Sequence, residues 1–190
     1  ALREFVEEDG PPPDELVEVR LIEEFGWTLE ELDQSVDFLK RRNAPLVLLH
    51  CVSQYPCPAE ELNLSMIEFL RNRYGGVAIG FSDHSIGFDS AIAATALGAL
   101  VLEKHFSFDR GLWGADHKVS MTPDEMKAMV AGIREIEASP EKRREYLEKD
   151  MVKAGMGLGE KILQDDEAVF RPYFRKSLMA GADIPAGTVI

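Results

Sequence analysis

Val77-Ala78-Ile79-Gly80-Phe81-Ser82-Asp83-His84 and Leu100-Val101-Leu102-Glu103-Lys104-His105 flank a stretch of small residues running from Asp89 to Leu97 and closed by Gly98. Each flanking segment is an apolar run that ends in polar residues and a histidine. The stretch between them has the length and composition of one crossover helix with a glycine stop. Strand, helix and strand in this order predict two neighbouring parallel strands, each carrying an imidazole at its carboxyl end.

The same alternation extends on both sides. Pro45-Leu46-Val47-Leu48-Leu49 is a near-continuous apolar run ending at His50 and Cys51, the pattern of a strand buried on both faces of a parallel sheet. Before it, Thr28-Leu29-Glu30-Glu31 is a capping box opening a helix over 28–42, with Leu32, Val36 and Leu39 at helical spacing. After Cys51, a loop over 52–58 leads to a second helix over about 59–73, its inner face Leu62, Met66, Phe69 and Leu70, stopped by Gly75-Gly76. Beyond His105 a longer loop runs to Ser120. Thr122-Pro123-Asp124-Glu125 is a second capping box, with proline at the first helical position, and opens a helix to about Ala138.

Three strands, each followed by a helix, imply a parallel sheet with right-handed crossovers, which both a (β/α)8 barrel and a doubly wound sheet satisfy. In either, chemistry gathers at the carboxyl ends of strands, where Ser53, Tyr55, Ser82, His84 and His105 fall. No G-x-G-x-x-G or G-x-x-x-x-G-K-[ST] pattern follows a strand, which weighs against a nucleotide-binding version. The ends of the chain read differently. Residues 1–27 are an acidic leader around Pro11-Pro12-Pro13, with no legible buried strand. Residues 139–170, charged and then punctuated by Gly155, Gly157 and Gly159, read as a linker, and 171–190 as the opening of a β-rich module.

With 45% hydrophobic and 29% charged residues, the 190-residue chain has the balance of a soluble globular domain with a real core. A formal charge of −13 argues against a nucleic acid or an anionic membrane as partner, since both are held by clustered Lys and Arg. Cys51 and Cys57 are too few for a disulfide framework, so reduced thiols in the cytoplasm are the default. No apolar run approaches the roughly 20 residues that a membrane span needs.

Side chains alternate along a strand, so Ser82 and His84 share one face, Glu103 and His105 share one face, and Lys104 faces away from His105. Neutral imidazoles suit Zn2+, Mn2+ or Fe2+. Two of them with a carboxylate leave positions open for water or substrate, which fits Lewis-acid chemistry better than a structural metal. The alternative is that either histidine is a hydrogen-bonded strand-end residue. Asp116, in the loop after His105, reads as a proton acceptor or as a turn residue, and His117 as a third ligand or a plain loop residue. Tyr55 reads as a substrate-facing or a packing ring, and Ser53 and Ser82 as phosphate contacts or as caps. Adjacent on one strand, His50 and Cys51 point to opposite faces, which discounts a thiol and imidazole nucleophile pair.

Four segments arrive in order: Leu48-Leu49-His50-Cys51-Val52-Ser53-Gln54-Tyr55-Pro56, Gly80-Phe81-Ser82-Asp83-His84-Ser85-Ile86-Gly87, Glu103-Lys104-His105-Phe106 and Asp116-His117-Lys118. Together they resemble the sialic acid synthase family, which includes N-acetylneuraminate synthases and their legionaminate and pseudaminate relatives. The resemblance runs from about Thr28 to the C-terminus. It implies an α/β fold: the C-terminal portion of a (β/α)8 TIM barrel over 28–138, a linker over 139–170, and over 171–190 the truncated start of a small β-rich antifreeze-like (SAF) domain.

The reaction implied is condensation of phosphoenolpyruvate with an N-acetylated hexosamine such as N-acetylmannosamine, giving a nonulosonic acid and phosphate. By motif matching, the resemblance assigns a divalent metal to His84 and His105, Mn2+ first, with Mg2+ or Co2+ as alternatives. It sets Ser82 against the phosphate of phosphoenolpyruvate, Ser53 and Tyr55 against substrate, and Asp116 as catalytic with Glu103 in support. It also implies a homodimer for the full-length family. The acidic text over 11–25 stands where a preceding strand is expected, and the family's earlier strands are not in these residues. Catalysis by the chain alone is therefore not the expectation. Two other readings stand beside the synthase: a non-catalytic fragment that self-associates, and a metal-dependent sugar isomerase or aldolase on the same fold.

Overall fold

The apolar runs form one parallel sheet. The computed structural model describes residues 27–161 and 184–188, together with the backbone of 19–22. Strands β1 (Val19–Ile22), β2 (Leu46–Cys51), β3 (Ala78–Asp83) and β4 (Val101–Lys104) lie side by side in chain order, every neighbouring pair parallel. The first of these corrects the reading of 1–27 as an acidic leader without a strand. Val19 to Ile22 pair residue for residue with Leu46 to Leu49. Four residues are too few to show a period of their own, and the pairing with β2 supplies what the local text does not.

Helix α1 (Leu29–Arg41) begins as expected, with Thr28 Oγ1 accepting from the Glu31 amide at 3.2 Å and the Glu31 carboxylate accepting from the Thr28 amide at 2.9 Å. Leu32, Val36 and Leu39 are its buried stripe. The second helix is shorter than the expected 59–73. A single turn at Ala59–Glu61 precedes α2 (Met66–Arg73), and Asn63 between them has φ of 48°. The amides of Leu64 and Ser65 donate to the carbonyls of Gly155 and Met156 at 2.8 and 2.9 Å, so this stretch bonds to a distant segment instead of to its own preceding turn.

Helix α3 (Asp89–Leu97) is the crossover between β3 and β4 and ends at Gly98, whose φ of 105° suits the left-handed cap. Its four alanines are all buried, and Gly132 of α4 (Pro123–Ala138) lies so close that a Cβ there would meet Ile92 at 2.6 Å. The expected linker is corrected within its described part. Residues 140–155 form α5 (Pro140–Leu147) and α6 (Asp150–Gly155). Val152 is fully buried, with Tyr146, Leu147, Met151 and Met156 packed against the same core. The few apolar side chains that do this are dispersed among Glu, Lys and Arg, which hides them from a compositional reading. The turn at 184–188 closes with Thr188 N–H on Pro185 O at 3.2 Å, while the rest of the expected SAF segment lies outside the described residues.

The helices cover one face of the sheet. Leu48, Val52, Ile79 and Phe81 join Leu32, Val36, Leu39, Ile67 and Leu70 in the main core. On the opposite face Gly80 lets the strands approach closely, since a Cβ there would lie 2.6 Å from Val101 O and 3.1 Å from Leu49 Cγ. That second face carries Ser82 and Glu103 to the strand ends. No helix among the described residues is long and apolar enough to cross a membrane.

Candidate active site

Register aligns Cys51 with Ser82 and Ser82 with Glu103, so one polar row crosses the sheet near its carboxyl edge. Ser82 Oγ donates to Glu103 Oε1 at 2.8 Å. Two residues further along each strand, the rings of His84 and His105 converge with centroids 5.3 Å apart. The Tyr55 ring lies against both, 4.0 Å from His84 and, edge-on, 5.8 Å from His105. His84 is buried, whereas Tyr55 is 44% exposed. Ser53 is buried just beyond the end of β2.

A hydrogen bond orients the central ring. His84 Nδ1 lies 2.9 Å from Val52 O, a carbonyl that only accepts, so Nδ1 donates and a neutral ring carries its lone pair on Nε2. Cys51 Sγ lies 3.7 Å from the same nitrogen. The thiol of Cys51 thus approaches His84 rather than its neighbour His50, as the alternation of faces requires. His50 points to the helix side, where Nε2 bonds Leu62 O at 2.8 Å and the ring stacks on Phe81 at 5.7 Å.

The long loop after β4 is tied back to the sheet. Met121 N–H donates to His105 O and Ser107 N–H to Met121 O, both at 2.8 Å. Arg110 Nη2 reaches both oxygens of Glu125, at 2.8 and 2.7 Å, and Arg110 Nε donates to Ser120 O at 3.0 Å. The Thr122 amide and then Arg110 hold the Glu125 carboxyl below its ordinary range, against the opposing effect of burial. His117 is a loop residue, its Nδ1 2.8 Å from Ser107 Oγ. Asp116 is exposed at the start of the turn Asp116–Lys118, and its carboxylate makes no hydrogen bond among the described residues. The structure brings together Tyr55, His84 and His105, and separately Ser82 with Glu103. It does not join Asp116 or His117 to the ring cluster.

Two features were missed in the sequence. Asp83 and Lys104, register partners on the helix side, form a buried ion pair of 2.9 Å. Breaking a pair this dry by removing one member typically costs about 3–5 kcal/mol. The Asp83 Oδ1 bond to the Ser85 amide at 2.8 Å is an Asx-type turn, legible in Asp83-His84-Ser85. Its partner Lys104 is visible only once the register is known.

The donor chemistry fits a divalent ion. Two strand-end imidazoles converge, one with its lone pair on Nε2, and metal-binding histidines commonly donate their other ring N–H to a backbone carbonyl, as His84 does to Val52. Among the described residues no set of three or more His, Cys, Asp or Glu side chains is gathered for a metal.

The chain is similar to known proteins over most of its length. N,N'-diacetyllegionaminic acid synthase of Campylobacter jejuni is 35% identical over 166 residues, covering 85% of this chain and 44% of that protein. Among solved structures, spore coat polysaccharide biosynthesis protein SpsE of Bacillus subtilis is similar with a TM-score of 0.70 at 33% identity, over 80% of this chain and 42% of that one. N-acetylneuraminic acid synthetase of Leptospira borgpetersenii is similar with a TM-score of 0.58 at 31% identity, over 83% and 49%. The chain thus spans less than half the length of these relatives. The model of the NeuB family matches residues 26–145, most of the described sheet and its helices, and the chain belongs to that family.

Proposed function

We propose that this chain carries the metal-binding part of a sialic acid synthase-type enzyme, which condenses phosphoenolpyruvate with an N-acetylated hexosamine to give a nonulosonic acid and phosphate. The observation that carries the reading is the convergence of His84, His105 and Tyr55 at the ends of adjacent parallel strands, beside the bonded pair Ser82 and Glu103. On this reading β1 to β4 are the C-terminal arc of a (β/α)8 barrel, whose chemistry sits at the strand ends. The segment 171–190 opens an SAF domain, and the whole protein is a homodimer. A cytoplasmic setting, with Cys51 and Cys57 as buried thiols, belongs to the same reading.

His84, through Nε2, and His105 would hold the divalent ion, Mn2+ first. When bound, the ion supplies Lewis-acid polarisation of the sugar aldehyde. The residues of the chain do the rest. Val52 O keeps the His84 proton on Nδ1 and aims the ring. Tyr55 covers one face of His84 and narrows the path of water to it. Ser82, oriented by Glu103, presents its hydroxyl to the phosphate, with buried Ser53 lying against substrate. Asp116, exposed in the loop, is the proton acceptor for the sugar.

Calorimetry and EPR with Mn2+ test the site. The chain should bind one ion, and His84→Ala and His105→Ala should each weaken binding by about tenfold or more. Unchanged affinity in both variants overturns the assignment. In the whole enzyme that contains this chain, release of phosphate only when both phosphoenolpyruvate and N-acetylmannosamine are present separates condensation from isomerase or aldolase chemistry. A second reading, self-association of the chain, is favoured by the loop after β4, where Phe108 is 81% and Trp113 98% exposed. Light scattering decides it.

A further inference from the structure

We propose that the buried Asp83 and Lys104 pair is a positioning device for the two imidazoles, setting the separation of His84 and His105 and the tautomer of His84; the inference rests on the metal-binding reading above. Lys104 Nζ lies 2.9 Å from Asp83 Oδ2 and donates to Ser85 O at 2.6 Å. Those are the residues directly before and after His84, so one ammonium holds both flanks of that imidazole. The backbone of Lys104 then runs straight into His105. A single side chain therefore links the two ring-bearing strand ends.

The rest of the network removes slack. Asp83 also accepts from the Ser85 amide at 2.8 Å and from Ser90 Oγ at 2.6 Å, and the hydroxyls of Ser85 and Ser90 lie 2.6 Å apart. Ser90 stands in the first turn of α3, so the strand end is tied to the helix layer as well. The side chains of Lys104 and Asp83 are 3% and 0% exposed. Such a dry pair is often no more stabilising than apolar residues of the same volume, so its presence points to geometry. The alternation that turns Ser82, His84, Glu103 and His105 to one face turns Asp83 and Lys104 to the other. Neither touches substrate or metal, and both act through the backbone on groups that do.

The test uses the 190-residue chain with Lys104→Met, Asp83→Asn and the milder Ser90→Ala. Three quantities are read: Mn2+ affinity by calorimetry, the d–d spectrum of bound Co2+, and the His84 tautomer in the metal-free protein by long-range 1H–15N NMR. Thermal melting identifies the folded variants. Lys104→Met should weaken Mn2+ binding about ten- to hundredfold, the range seen for partners that orient ligands, shift the Co2+ spectrum and erode the Nδ1–H tautomer. Ser90→Ala should move all three in the same direction by less. Folded variants that melt earlier yet keep wild-type affinity, spectrum and tautomer would reduce the pair to a structural brace and overturn the proposal. A wild-type chain that binds no Mn2+ overturns the metal reading instead, and the metal-free tautomer still decides the positioning. Should Lys104→Met not fold, wild-type values in both Asp83→Asn and Ser90→Ala overturn it.

Discussion

The carbonyl oxygen of Val52 lies 2.9 Å from Nδ1 of His84 and joins the end of β2 to the end of β3 across the sheet. The bond does more than hold two strands together. It chooses which nitrogen of a buried imidazole keeps its proton, and so which one carries the lone pair. Substitutions can separate these two roles. His84→Asn retains a short amide donor toward Val52 O but has nothing at the Nε2 position, whereas His84→Leu leaves that carbonyl with the Gln54 amide, 2.9 Å away, as its remaining donor. Urea unfolding should show His84→Leu destabilised by about 0.5–1.5 kcal/mol, the net value of one hydrogen bond, and His84→Asn by clearly less. Mn2+ EPR should show binding weakened equally in both. Equal destabilisation of the two variants would show that the bond to Val52 contributes nothing.

Gly80 is where the sheet face that carries Ser82 and Glu103 allows no side chain. A methyl group there meets Val101 O and Leu49 Cγ on the neighbouring strands, and Gly80 stands two residues before Ser82. Gly80→Ala should destabilise the chain by roughly 1–3 kcal/mol, the usual cost of overpacking, measured by denaturant unfolding. Because β3 and β4 must part to admit it, the bond from Ser82 to Glu103 should lengthen as well. A stability equal to the wild type would show that the sheet takes up a methyl group there without strain.

Much of this was legible in the text of the chain. Local signals sufficed for β2 to β4, for the caps at Thr28 and Thr122, and for the shared faces of Ser82 with His84 and Glu103 with His105, because each depends on neighbours a few residues apart. What escaped depends on distant partners. Val19 to Ile22 are a strand because Leu46 to Leu49 lie beside them. The helix expected over 59–73 breaks because Gly155 O and Met156 O take the amides of Leu64 and Ser65. Lys104 was correctly turned away from His105, yet its partner Asp83 emerges only from the register of β3 with β4. Asp116 is the converse case: the motif picks it out, and the described contacts leave it apart from the rings.

Glu125 links the loop after β4 to the start of α4, serving both the Thr122 cap and Arg110. Its carboxyl is held below its ordinary range in the folded chain, by the Thr122 amide first and Arg110 next. The folded state therefore binds fewer protons than the unfolded one across that range. This contribution is full above the unfolded carboxyl value and is lost as pH falls through the lowered folded value. The urea midpoint should fall between about pH 6 and pH 3, and Glu125→Gln should flatten part of that fall. A variant whose pH profile matches the wild type would show that the cap and the Arg110 contact make no pH-dependent contribution.

Asp116 provides the sharpest division between folding and chemistry. It is exposed, its carboxylate makes no hydrogen bond among the described residues, and only its backbone carbonyl takes part in the loop, accepting from Ser120 N–H and Oγ. Asp116→Asn keeps the size and that backbone role. Thermal and urea unfolding should therefore change by less than about 0.5 kcal/mol, the ordinary range for a surface substitution. If Asp116 is the proton acceptor, phosphate release from phosphoenolpyruvate and N-acetylmannosamine by the whole enzyme that contains this chain should fall by about a hundredfold or more, while Mn2+ affinity stays at the wild-type value. A loss of affinity instead would move Asp116 into the metal site, and unchanged phosphate release would remove it from the reaction.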